Sequence, residues 1–174
     1  MMEAKKPISH IVAGLLIGVV IVIIQLLSTY GSDNTMSGGG LASILAVIVG
    51  LPVFIYLYGK ARNHAETFGN LFSYGFKATA VLTLVVVVYM LITSYVMPEI
   101  KEKGLQLMRE EMENNDRMTD SDIDNMMDLS TKYFWLFAIG GNVLYNIILG
   151  AISSLIGAAI TPKRPKNPFE QPNL

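Results

Sequence analysis

Four long apolar runs separated by polar punctuation organise this chain. Ile8 to Leu27 carries no charge for twenty residues. At about 1.5 Å of rise per residue, a helix of that length crosses a hydrocarbon core of roughly 30 Å. Leu41 to Tyr58 is a second uncharged run, interrupted by Pro52, where a kink is expected. Membrane helices tolerate such a proline because neighbouring groups re-satisfy the freed carbonyl. Ala78 to Met97 is a third run, opened by Lys77 and closed by Pro98. Tyr133 to Ile160 is a fourth, longer than a span needs, so tilt or a start above the membrane surface is expected, and Thr161 and Pro162 stop it. The pattern predicts an all-α polytopic membrane protein with spans near residues 8–27, 41–58, 78–97 and 134–160. Residues 1–160 then form one four-helix transmembrane domain, and 161–174, with Asn167, Pro168 and Phe169, a disordered cytoplasmic tail.

The connections differ in kind. Thr29 to Gly40, with Asp33, Asn34 and three closing glycines, reads as a short polar loop. Gly59 to Phe76 carries Lys60, Arg62, His64 and Glu66 and then an aromatic–glycine stretch, and reads as the second connection. The third, residues 98–132, is long and helical in pattern. Ile100, Leu105, Leu107, Met108 and Met112 recur near helical spacing, and Asn114, Asn115 and Asp116 break the run. Thr119 followed by Asp122 resembles a capping box with Asp in the usual Glu place, opening a second helix with Ile123, Met126, Met127 and Ser130 on one face. That helix is able to run unbroken into the fourth span. A helical hairpin between spans three and four is therefore expected, docked through Met108, Met112, Ile123, Met126 and Met127, which offer an adaptable apolar face.

Composition sharpens this picture. The chain is 52% hydrophobic and 16% charged, against about 25% charged in an ordinary soluble domain. Its mean hydropathy is +0.45. The formal charge of -1 hides a segregation, because Glu99 to Lys132 holds ten of the fourteen acids. Lys5, Lys6, Lys60, Arg62, Lys163, Arg164 and Lys166 flank the opposite side of the spans. Translocating positive charge is disfavoured, so both termini are expected in the cytoplasm and the hairpin outside it. The first run exceeds the roughly 7 to 15 residues of a signal-peptide core and lacks an A-x-A-like site, so an uncleaved anchor is expected.

Candidate chemistry is sparse. The chain has no cysteine, which removes disulfides, thiolate metal sites and cysteine nucleophiles. His10 and His64 are its only histidines, far apart and at the edges of apolar runs, where lipid headgroups lie. Asp120, Asp122 and Asp124 open like a calcium loop, but the sixth and twelfth positions are Asn125 and Thr131 in place of Gly and Glu. These acids instead suit the positive end of a helix. No span centre carries an ionisable side chain, the usual mark of an ion path. Lys77 sits at a span end, where it snorkels. Asn142 and Asn146, four apart, share a helix face and suit interhelical hydrogen bonds. Gly14 with Gly18, Ala46 with Gly50, Gly150 with Ser154 and Ser153 with Gly157 suit close helix packing within the chain, or a homodimer as the sharper alternative. No metal or cofactor, no nucleic acid and no enzymatic activity is expected.

Phe72 to Lys77 as F-S-Y-G-F-K, Met97 to Ile100 as M-P-E-I, and Met118 to Met127 as M-T-D-S-D-I-D-N-M-M together make the chain resemble the bacterial domain-of-unknown-function family 4199, mostly from Bacteroidota. The resemblance covers nearly the whole chain and implies four membrane helices and an inner-membrane location, with no activity to carry over. The function expected is that of a membrane-anchored interaction or assembly protein whose acidic extracytoplasmic hairpin meets a protein partner. The alternative is a small transporter, or an accessory subunit of one, with Asn142, Asn146 and Lys77 lining a path.

Overall fold

A computed structural model describes residues 7–30, 36–114 and 118–164. Among them are five helices and no strands: α1 (His10–Tyr30), α2 (Met36–Ala61), α3 (Phe68–Val96), α4 (Glu99–Glu113) and α5 (Asp120–Ile160). All but α4 are long and apolar enough to cross a membrane. The chain is built from two compact units, the first holding residues up to Val85 and from Asn146 onward, the second Val86–Tyr145.

In the first unit, buried positions recur at helical spacing: Ala13, Ile17 and Ile21 on α1, Val47, Leu51 and Ile55 on α2, and Leu71, Tyr74, Ala78 and Leu82 on α3. Large side chains between them, such as Leu16, Val20, Val49 and Leu84, point outward. The polar residues Thr79, Ser153, Ser154 and Thr161 are buried instead. Apolar outside and polar within is the arrangement a lipid solvent demands, because lipid gives apolar side chains no reason to leave it and polar ones no partner. Glycine sets how closely the helices approach. A Cβ at Gly14 would lie 2.5 Å from the Ala78 carbonyl oxygen and 2.6 Å from Val81, and one at Gly18 2.9 Å from Val85. Gly50 meets Ile17, Gly150 meets Thr79, and Gly157 meets Ile55 and Pro52. The small-residue pairs read from the sequence thus face neighbours within the chain.

The helix ends depart from the expected boundaries for local reasons. α2 opens at Met36, so Gly38, Gly39 and Gly40 belong to a helix and not to a loop. Gly39 lies so close to Ser28 of α1 that a side chain there would strike it. Asp33 and Asn34 lie outside the described residues. α2 ends in a Schellman turn, in which the His64 N–H reaches the Gly59 carbonyl at 2.8 Å and the Asn63 N–H reaches Lys60 at 3.0 Å. Asn63 and His64 take left-handed φ values of 54° and 59°. α3 begins at Phe68, well before Ala78, because Thr67 caps it: its hydroxyl accepts from the Asn70 N–H at 3.3 Å. The aromatic–glycine stretch is therefore helix. Beyond α5, Thr161 is buried, residues 162–164 are exposed, and the Arg164 N–H donates to the His64 carbonyl at 2.8 Å. The tail beyond, with Asn167, Pro168 and Phe169, lies outside the described residues.

In the second unit, Pro98 ends the run of α3 and stands at the N-cap of α4. The head of α5 opens as the sequence suggests. The Thr119 hydroxyl lies 2.6 Å from an Asp122 carboxylate oxygen, which also accepts the Thr119 N–H at 3.2 Å, while the Asp122 N–H donates to the Thr119 hydroxyl at 3.3 Å. α5 runs on into the fourth apolar run, with non-helical backbone at Tyr133 (φ -114°, ψ 19°) where the acidic head gives way to the spanning portion.

Candidate functional site

The first unit holds a polar cavity of about 440 Å³ at the end where α1 begins, α2 finishes and α3 begins. One wall is fixed by a set of mutually satisfied groups. Tyr58 and Tyr74 stack at 4.3 Å between ring centroids, and the Arg62 guanidinium lies over Tyr58 at 5.7 Å. Glu66, mostly buried, pairs with Arg62 at 3.6 Å and accepts hydrogen bonds from Asn70 Nδ2 at 2.8 Å and from the Tyr58 hydroxyl at 3.4 Å. The Tyr74 hydroxyl donates to the Ile8 carbonyl at 3.1 Å, tying the entry of α1 to α3. The other wall is less constrained: His10, edge-on to Tyr74 at 6.4 Å, with Ser9, Ser73 and Lys77. Lys77 is exposed and, among the described residues, has no ion-pair or hydrogen-bond partner.

Beside the cavity, His64 Nδ1 donates to the Pro162 carbonyl at 3.0 Å, and Lys163 Nζ to the carbonyls of Ala158 and Thr161 at 2.8 and 3.2 Å. Both cap the end of α5. One end of this unit thus gathers Lys60, Arg62, Lys77, Lys163 and Arg164 against the single acid Glu66 among the described residues.

The second unit carries the acidic pair of helices. Arg109 joins them, with Nε 2.9 Å from Glu113 and Nη2 3.2 Å from Asp124. Both partners hold its guanidinium more firmly protonated, the hydrogen bond to Glu113 most. Asp122, in the polar first turn ahead of the spanning run, is held below the ordinary carboxylate range by the Thr119 hydroxyl and then by the Thr119 N–H. Two acids of the calcium-like run are thus engaged in a cap and an ion pair. No cluster of three metal-ligating groups occurs among the described residues.

The methionine face is only partly buried. Ile123 is buried and Met112 and Met127 are half-buried, but Met108 and Met126 are exposed, and α4 has no buried residue at all. Gly104 gives α4 its close contact, since a Cβ there would lie 3.0 Å from the Phe134 ring. Asn146 is buried in the first unit and Asn142 half-buried in the second, and each already has a partner. Of the residues singled out from sequence as interaction or packing candidates, only Lys77 lines the cavity. Sequence pattern does not assemble Tyr58, Glu66, Asn70 and Tyr74 into a set, though the Arg62–Glu66 spacing of four is a signal for part of it.

These features define a helical membrane protein with four spanning helices. The family model for a protein of unknown function, DUF4199, matches residues 12–163, and the chain belongs to that family. No curated protein and no solved structure matches it.

Proposed function

We propose that this protein is a membrane-anchored interaction or assembly protein, in which the spans hold an acidic two-helix head that docks a protein partner outside the cytoplasm of a bacterial cell. The observation that carries the reading is the state of α4: no residue of it is buried, and Leu107 and Met108 are exposed, as are Met126 and Leu129 on the head of α5. An amphipathic helix that leaves part of its apolar side uncovered is suited to a partner surface. The surrounding acids add solubility and steer the encounter more than they add affinity. The gathering of Lys and Arg at the end of the first unit where α1 begins supports placing that end in the cytoplasm. Glycine stripes already filled within the chain favour a different partner over self-association through those stripes. The engaged hydroxyls of Thr79, Thr83 and Ser153, each on the carbonyl four residues back, favour anchoring over a transport path.

A photo-cross-linking residue at Met108 or Met126 tests the reading in intact cells, with Leu84 on the outward face of α3 as the comparison. Discrete protein adducts from the head positions, absent from Leu84, are expected. Adducts to lipid alone, or the same pattern from all three positions, would overturn it. Reporter fusions after Asn63 and after Asn115 test the orientation, which requires a cytoplasmic signal from the first and an external one from the second.

A further inference from the structure

At the mouth of the α1–α3 seam lies a cavity with cationic chemistry and, among the described residues, no counter-ion on one side. The register of the seam explains it. Gly14 faces Val81 and Gly18 faces Val85. One step of four residues back along each helix brings His10 opposite Lys77, and both line the cavity. Where the glycine contacts stop, larger polar side chains face each other, His10 at the start of α1 and Lys77 in the third turn of α3, and the space between the helices opens.

The groups around that space are unequal. Arg62 and Glu66 satisfy each other on the far wall. Lys77 has no partner among the described residues, and Ser9, Ser73 and His10 offer further hydrogen-bond donors. The first turn of α1 presents the positive end of its dipole to the same cavity. The net character is a seat for a compact anion rich in acceptor oxygens. Ile11 and Phe76, next to His10 and Lys77 in sequence, are exposed on spanning helices, so apolar surface adjoins the seat. A ligand with a phosphate and an attached acyl body matches both parts.

We propose that the cavity between the first turn of α1 and the first three turns of α3 binds a phosphate group, carried by an anionic phospholipid whose chains lie along the outward faces of those helices. This site draws on no residue of the head and does not depend on a protein partner there.

Native mass spectrometry of the full chain in detergent, offered equal phosphatidylglycerol and phosphatidylcholine, reads the preference directly. Phosphatidylglycerol is expected in at least several-fold excess in the bound population. Lys77→Gln, or His10→Gln, should reduce that excess severalfold, and Lys77→Arg should keep it. Lys77 is exposed, so an unchanged melting temperature for Lys77→Gln is the control for folding. No headgroup preference in the wild-type chain, or a preference that survives both Gln variants, would overturn the proposal. Glycerol 3-phosphate and inorganic phosphate form the second arm. Saturable protection of the wild-type chain against unfolding by either, lost in Lys77→Gln and without any lipid preference, would overturn the lipid as the source and assign the seat to a soluble phosphate.

Discussion

Arg109 of α4 and Asp124 of α5 stand 3.2 Å apart, with Glu113 2.9 Å from the same guanidinium. This is the ion pair that joins the two helices of the head, and it is open to solvent. Exposed pairs are screened by salt and give little stability. Arg109→Gln should therefore raise amide exchange in α4 only slightly, and high salt should have the same small effect on the wild type. Global loss of protection in α4 on either treatment would show that the pair carries the head.

The reciprocal cap at Thr119 and Asp122 gives the head a pH dependence. Asp122 has its carboxyl held below the ordinary range in the folded chain, so its contribution is fully present above that range. The contribution falls as acid lowers the pH through the ordinary aspartate range toward the folded value. Exchange at the first-turn amides of α5 should rise over that interval, and Asp122→Asn should flatten the response. An identical acid profile in Asp122→Asn would remove the cap as its cause.

The glycines divide into two groups with opposite expected outcomes. Gly14→Ala, Gly18→Ala and Gly150→Ala each place a methyl against backbone or a branched side chain, and overpacking of this kind costs about 1–3 kcal/mol. Gly140 and Gly141 of α5 face open space, with nothing within 4 Å of where an added methyl would stand, so alanine there should be tolerated or mildly stabilising. Unfolding in mixed micelles ranks the five variants. Equal losses in both groups would show that glycine serves something other than close approach.

Ser154 is buried against Gly75, and its hydroxyl is the only buried side-chain polar atom without a partner among the described residues. An unsatisfied buried hydroxyl costs stability, so Ser154→Ala should raise it by about 1 kcal/mol in the same assay. A loss of similar size would mean that the hydroxyl is bonded.

Asn63 holds the left-handed position of the Schellman turn. Asn63→Gly should be neutral, and Asn63→Val should destabilise the α2–α3 turn by about 1–2 kcal/mol, read by proteolysis at Arg62.

The spanning helices were legible because uncharged runs of this length have one physical solution in a bilayer. The cap at Thr119 was legible because two side chains three residues apart define it. The start of α3 was not, since Asn70 and the glycines near Phe72 look like loop composition, and the Thr67 cap with the packing of Gly75 against Ile55 and Ser154 makes them helical. The cavity was hidden for a deeper reason. α1 and α3 are apolar all round, so periodicity does not reveal which side of one meets which side of the other. Lys77 was visible as a span-end lysine, but its placement opposite His10 depends on a register fixed by Gly14 and Gly18.

That register has a consequence for the order of events during biosynthesis. α1 is complete long before Val81 and Val85 leave the ribosome, so its glycine groove has no protein to fill it while α2 is being made. In that interval the groove faces lipid or an insertase. The newborn first helix then has only α2 to pack against, through Ile17 on Gly50 and Ser28 on Gly39, and its groove at Gly14 and Gly18 closes only when the third helix arrives.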